Sequence, residues 1–184
     1  MPIGPRALTV SSVGFPMSDQ ALILLVEDSQ DHVFLFRHAC KKARISNPIQ
    51  VVSTGEEAIA YLGGTGPYAD WSRFPLPTLV LLDLKLPGMD GFGVLGWIRQ
   101  QPALKALRVI MLTSSDLSKE ISLARELGAN SFLTKPVDLD QLVEMMRTLG
   151  EYWLGLDRAP VLSRAAKVHR NADVERKPTG PATR

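Results

Sequence analysis

Thr78-Leu79-Val80-Leu81-Leu82-Asp83-Leu84-Lys85-Leu86-Pro87-Gly88-Met89-Asp90-Gly91 is the stretch on which the reading turns. Thr78 to Leu82 is a short apolar run without polar alternation, which suits a parallel strand buried on both faces. It stops at the carboxylate Asp83, and Pro87-Gly88 predicts a turn before the next helix. The same arrangement repeats on either side. Leu22 to Val26 ends in Glu27-Asp28, Ile49 to Val52 follows, Arg108 to Leu112 ends at Thr113, and Asn130 to Leu133 leads into Thr134-Lys135-Pro136.

Helical spacing fills the gaps between these runs. Val33, Phe34, Phe36, Ala39 and Cys40 are closed by Lys41, Lys42 and Arg44, basic residues that complement a helix C-terminus. Thr54 predicts a cap for a helix through Leu62. Val94, Leu95 and Ile98 mark a third helix, and Asp116 to Leu127 a fourth, ended by Gly128. Asp138 predicts the cap of a last helix carrying Leu142, Val143, Met146 and Leu149 and reaching toward Trp153-Leu154. Strand and helix thus alternate five times. That predicts an α/β fold, a doubly wound five-stranded parallel sheet with helices on both faces. The loop from Gly63 to Pro77 holds Tyr68, Trp71 and Phe74, so it is expected to pack rather than to hang free.

The 184 residues suffice for one domain with tails. We expect a lead over 1–18, a folded unit over 19–156 and a basic, disordered tail or docking arm over 157–184. Translation from Met1 or from Met17 fits equally. The net charge of +2 hints at nucleic acid until it is divided. The tail carries +4, the lead +1 and the folded unit −3, so no nucleic-acid surface is expected. The single cysteine, Cys40, excludes an intrachain disulfide and fits a reducing compartment. No apolar stretch is long enough for a membrane span or a secretory signal, so a cytoplasmic location is expected. The polar segment after residue 150 holds no recognisable DNA-binding or effector unit.

The chemistry collects at the C-terminal ends of the strands, the edge where sites form in open parallel sheets. Glu27, Asp28, Asp83, Thr113 and Lys135 all fall there. Three clustered carboxylates repel one another unless a cation neutralises them, and hard oxygen ligands suit Mg²⁺. A nearby ammonium group and hydroxyl are natural partners for a phosphoryl group. Asp83, alone at its strand end, is the candidate nucleophile, while the adjacent Glu27 and Asp28 suit the metal. A single such acid is more often a solvated strand end or a helix cap; the set of five is not.

In this pattern the chain resembles the receiver domain of two-component response regulators over about residues 21 to 150. The marks are Glu27-Asp28, Asp83 with Pro87, Met89-Asp90-Gly91, Thr113 and Lys135-Pro136. The resemblance implies a flavodoxin-like sheet of strand order 2-1-3-4-5. It implies that Asp83 is a phosphoacceptor serving a histidine kinase. Mg²⁺ would be held by Asp28 and Asp83, with help from Glu27 and the Lys85 backbone carbonyl. Lys135 would pair with the phosphoryl oxygens, Thr113 would hydrogen-bond the group, and Phe132 would be the switch aromatic. Pro136 would follow a cis peptide bond. Such a module is a signalling phosphoacceptor rather than an enzyme on other substrates.

Ser114 keeps the residue after the switch threonine small. In the family, the positions held here by Lys85 and Ser115 tune the phosphoryl lifetime, and a long Lys85 implies slow self-hydrolysis. The long loop before strand three and Tyr152-Trp153-Leu154 resemble the small single-domain regulators that partner phytochrome-type histidine kinases. Those commonly dimerise with help from C-terminal aromatics, which predicts a homodimer here; the competing reading tucks the three residues onto their own domain. Output would pass through protein contacts or through relay to a histidine phosphotransfer protein. A runner-up, an Asp-based small-molecule phosphatase or phosphotransferase, would need an acid at the position of Lys85 and a cap domain. A scaffold that has lost phosphorylation is disfavoured by the intact residue set. Gly63-Gly64-Thr65-Gly66 lacks the ending of a phosphate loop, and His32, His38 and His169 are not spaced as metal ligands.

Overall fold

The structure is a computed structural model, and it describes residues 21–114 and 118–154. The expected lead and tail, and Ser115, expected to tune the phosphoryl lifetime, lie outside the described residues. The strands are β1 (Ile23–Val26), β2 (Ile49–Val52), β3 (Leu79–Asp83), β4 (Arg108–Thr113) and β5 (Ser131–Thr134). All pair in parallel, in the order β2-β1-β3-β4-β5. The helices are α1 (Gln30–Lys42), α2 (Gly55–Gly63), α3 (Gly91–Gln100), α4 (Ser118–Glu126) and α5 (Leu139–Leu149).

Period-two alternation divides each central strand between two cores. Leu24, Val26, Val80, Leu82, Val109 and Met111 face α2, α3 and α4, meeting Tyr61, Val94, Leu95, Ile98 and Ala124. Ile23, Leu25, Leu79, Leu81, Ile110 and Leu112 face α1 and α5, meeting Val33, Phe36, Val143, Met146 and Leu149. The uninterrupted apolar runs are therefore the consequence of a sheet covered on both sides. Each fully buried aliphatic side chain contributes roughly 1.5–3 kcal/mol. Cys40 is part of the second core, where burial pushes its thiol up to about 12 and leaves it inert.

Helix ends follow the expected chemistry. Thr54 Oγ1 accepts from the Glu57 amide at 3.1 Å, and Asp138 Oδ1 accepts from the amides of Asp140 and Gln141 at 2.7 and 3.0 Å. Asp90 caps α3 through the Gly93 amide at 2.9 Å. Gly128 closes the α4 end with φ of +87°. The expected start of that helix at Asp116 lies outside the described residues.

The 63–77 loop packs as anticipated. Tyr68 and Phe74 stack edge-on with Tyr61, with ring centres 5.1 to 6.1 Å apart. Tyr61 donates its hydroxyl to the Pro75 carbonyl at 2.9 Å, and Tyr68 donates to Glu57 Oε1 at 2.5 Å. The neighbouring Glu56 accepts from the Met89 amide at 3.0 Å, so the first turn of α2 grips the segment that follows Asp83. At the other end of the sheet, Gly150–Leu154 continues α5 as a wider π-type turn. Trp153 and Leu154 pack onto the α1/α5 core, and Arg108 donates to the Trp153 carbonyl at 3.2 Å. Tyr152 remains 63% exposed. Of the three residues expected at a dimer face, two are thus largely tucked onto their own domain.

One expectation is overturned. No described peptide bond is cis, so Lys135–Pro136 is trans. Trans is the intrinsically favoured form of an X–Pro bond, by about 0.5–1 kcal/mol, and in this form Lys135 already reaches both acids of the site.

Candidate functional site

Parallel pairing in step is what assembles the site. Val26 of β1 lies opposite Leu82 of β3, so the residues that follow, Glu27 and Asp83, leave the sheet at the same level. Asp83 lies opposite Leu112, and Thr113 opposite Thr134, which delivers Lys135 to the same edge from β5. The Lys135 amide donates to the Thr113 carbonyl at 2.6 Å and fixes where the lysine leaves the strand.

The Lys135 ammonium is shared by two buried carboxylates. Nζ stands 2.6 Å from Glu27 Oε2 and 2.7 Å from Asp83 Oδ2. Glu27 is 2% exposed and Asp83 5% exposed. The third acid, Asp28, is exposed, and oxygens of Glu27, Asp28 and Asp83 all lie within 4.8 Å of one another. One ammonium against three carboxylates leaves the cluster negative, with hard oxygen donors suited to a divalent cation. The Lys85 amide donates to Asp83 Oδ1 at 3.3 Å, while its side chain is exposed.

Burial holds the Asp83 carboxyl above the usual carboxylate range. Lys135 opposes that rise, Glu27 adds to it, and the Lys85 amide opposes it. The consequence for stability has a definite sign. Between the ordinary carboxylate value, about 3.9, and its own raised value, Asp83 binds more protons in the folded protein than in the unfolded chain. Stability of the metal-free protein therefore falls as pH rises through that window. Urea denaturation across this range should show a slope that Asp83→Asn flattens; an unchanged slope in the variant would contradict the assignment.

Thr113 is fully buried, and its hydroxyl lies 3.5 Å from Glu120 Oε2 of α4, a neighbour that sequence spacing did not suggest. Phe132 is partly buried against the α2/α3/α4 core. His32, half-exposed at this edge, places Nδ1 3.0 Å from Glu27 Oε1. Its place five residues after Glu27, on the first turn of α1, was the available signal. His38 stacks on Phe34 instead, with ring centres 6.3 Å apart. A cleft of about 310 Å³ opens beside the acids, walled by Leu25, Leu35, Phe36, Leu112 and Met145. Phe34, Leu35 and Val137 are exposed on the same α1 and β5–α5 side. Among the described residues, no helix is long and apolar enough to cross a membrane.

A parallel 2-1-3-4-5 sheet with acids, threonine and lysine at one edge defines a class, and comparison with known proteins agrees. The model of the response regulator receiver domain matches residues 23–147, and the chain belongs to that family. Close homologues are phytochrome-associated response regulators. Rcp1 of Synechocystis sp. is 37% identical over 142 residues, covering 75% of this chain and 95% of Rcp1. The Mn²⁺-bound structure of Rcp1 matches with a TM-score of 0.67 at 36% identity, covering 74% of this chain and 96% of that one. The phosphorylated cyanobacterial phytochrome response regulator RcpA gives a TM-score of 0.68 at 35% identity, covering 73% and 94%. Beyond light-linked relatives, the probable methanogenesis regulatory protein FilR2 of Methanothrix harundinacea is 35% identical over 147 residues, covering 77% of this chain and 89% of FilR2.

Proposed function

We propose that the chain is a response regulator receiver that takes a phosphoryl group onto Asp83 from a histidine kinase, in a reaction supported by Mg²⁺. The observation that carries this reading is the Lys135 ammonium held between Asp83 and Glu27 at the active edge. Asp28 and Asp83 would hold the metal, with Glu27 and the Lys85 carbonyl completing the set. The metal supplies charge neutralisation for the phosphoryl oxygens. An Asp83 carboxylate oxygen attacks phosphorus, the bond from phosphorus to the donor's imidazole nitrogen breaks, and an acyl phosphate results.

The phosphoryl group adds negative charge and acceptor oxygens beside Lys135 and Thr113. Lys135 then trades a carboxylate partner for a phosphoryl oxygen. The Thr113 hydroxyl, whose Glu120 neighbour stands at a long 3.5 Å, turns toward the same group, and Phe132 moves inward in its wake. The population shifts toward that state because the phosphoryl group contacts these residues better there. The exposed Lys85 side chain beside Asp83 favours a long-lived phosphoryl group.

Two features favour a macromolecular donor over a small-molecule substrate. Exposed Leu35 and Val137, which line the cleft with Glu27, suit a protein surface, and the position of a second catalytic acid is occupied by Lys85. The relationship to Rcp1 and RcpA points to a phytochrome-type kinase as donor. Output then passes through protein contacts or onward to a histidine phosphotransfer protein. Incubation with a ³²P-labelled phytochrome-type kinase should move label to this chain; label retained by the kinase while acetyl phosphate still modifies the chain would reassign the donor.

The receiver domain also forms a homodimer in this reading, with Tyr152 as the exposed contact beside its ring neighbour Trp153. Sedimentation velocity should show a concentration-dependent dimer that Tyr152→Lys weakens. A monomer at every concentration would contradict it.

A further inference from the structure

We propose that His32 is a positioning residue for the metal cluster: by hydrogen-bonding Glu27 Oε1 it orients that carboxylate and so sets the affinity for Mg²⁺. This rests on the reading of Glu27, Asp28 and Asp83 as a divalent-cation site.

Glutamate has one methylene more than aspartate, and so one more torsion to hold if its carboxylate is to face a fixed point. Glu27 is held at both oxygens. Oε2 accepts from Lys135 at 2.6 Å. Oε1 receives His32 Nδ1 at 3.0 Å and the Ser29 amide at a longer 3.3 Å. The glutamate side chain is 3% exposed, so solvent is a poor substitute for a missing donor. His32 is itself anchored, since its amide donates to the α1 cap, Ser29 Oγ, at 3.3 Å. The contact needs only the neutral imidazole tautomer that carries hydrogen on Nδ1, with the other ring nitrogen free to meet solvent. His32 touches neither Asp28 nor Asp83 in any described hydrogen bond, so its influence runs through Glu27. Outer partners of metal-binding groups are commonly worth about 10–100-fold in metal affinity. A half-exposed ion pair with no orienting role would be worth almost nothing.

Calorimetric titration of Mg²⁺ into the full chain separates these cases, using wild type, His32→Ala and His32→Asn, whose amide nitrogen stands near the place of Nδ1. Affinity should fall about tenfold in His32→Ala and be largely restored in His32→Asn, with circular dichroism showing both metal-free variants folded. Initial rates of phosphoryl uptake from acetyl phosphate should then differ at low Mg²⁺ and converge at saturation. Wild-type affinity in His32→Ala, or an equal loss in both variants, would overturn the inference alone. A wild type that binds no Mg²⁺ would overturn the cation-site reading and this inference with it.

Discussion

Lys135→Ala is expected to slow phosphoryl uptake by about two to three orders of magnitude while tightening the binding of Mg²⁺. The opposite signs come from one geometry. In the metal-free protein the ammonium bonds Glu27 Oε2 and Asp83 Oδ2, on two of the three carboxylates of the cation cluster. Removing it ends that competition and leaves the cluster more negative, so a divalent cation binds better. The same ammonium is the charge aimed at the phosphoryl oxygens, and its loss falls on the transition state. Without metal, two buried carboxylates would face each other unneutralised, at a cost of about 3 kcal/mol. The rise of the Asp83 pKa would also grow, because Lys135 is the largest influence opposing it. Calorimetry with Mg²⁺ and stopped-flow phosphorylation check both halves. Weaker metal binding in the variant would show that Lys135 organises the acids rather than competing for them.

Gly91→Ala should destabilise the fold by about 3 kcal/mol, at the upper end of ordinary overpacking. A Cβ there would lie 2.4 Å from the Asp83 carbonyl oxygen and 2.9 Å from Leu84 Cα. Both are backbone atoms, so no side-chain rotation relieves the clash; β3 and α3 must separate. Because the displaced carbonyl belongs to Asp83, phosphoryl uptake should suffer beyond the loss of folded protein. Gly96, one turn along α3, is the control: a Cβ there meets nothing within 4 Å. Gly96→Ala should stabilise by about 0.5–1 kcal/mol, the helix-interior difference between the two residues. Urea denaturation of both variants decides it, and equal effects at the two positions would refute the close-approach argument.

Much of this architecture was legible because it depends on local pattern. The unbroken runs from Leu22 to Val26 and from Thr78 to Leu82 suited doubly covered strands, and Thr54 and Asp138 announced their helices through short-range capping. Strand-end placement likewise brought Glu27, Asp83, Thr113 and Lys135 to one edge, because parallel strands in step leave the sheet together. What stayed hidden depends on rotamers and on contacts distant in sequence. The sharing of Lys135 by Glu27 and Asp83 spans 108 and 52 positions. The grip of Glu56 on the Met89 amide spans 33. The contact of His32 with Glu27 was hidden because periodicity places a helix residue on a face without saying where its ring turns. For Trp153 and Leu154 the sequence allowed a dimer face or a fold back onto their own domain, and the turn after α5 packs both partly against the α1/α5 core.

Everything proposed for the site depends on Asp83 being the phosphoacceptor. Intact-mass measurement after incubation with acetyl phosphate and Mg²⁺ tests it most directly, with wild type and Asp83→Ala side by side. The wild type should gain one phosphoryl group, a gain lost on chelation of Mg²⁺ before incubation and absent from Asp83→Ala. No gain in the wild type, or the same gain in Asp83→Ala, would contradict it.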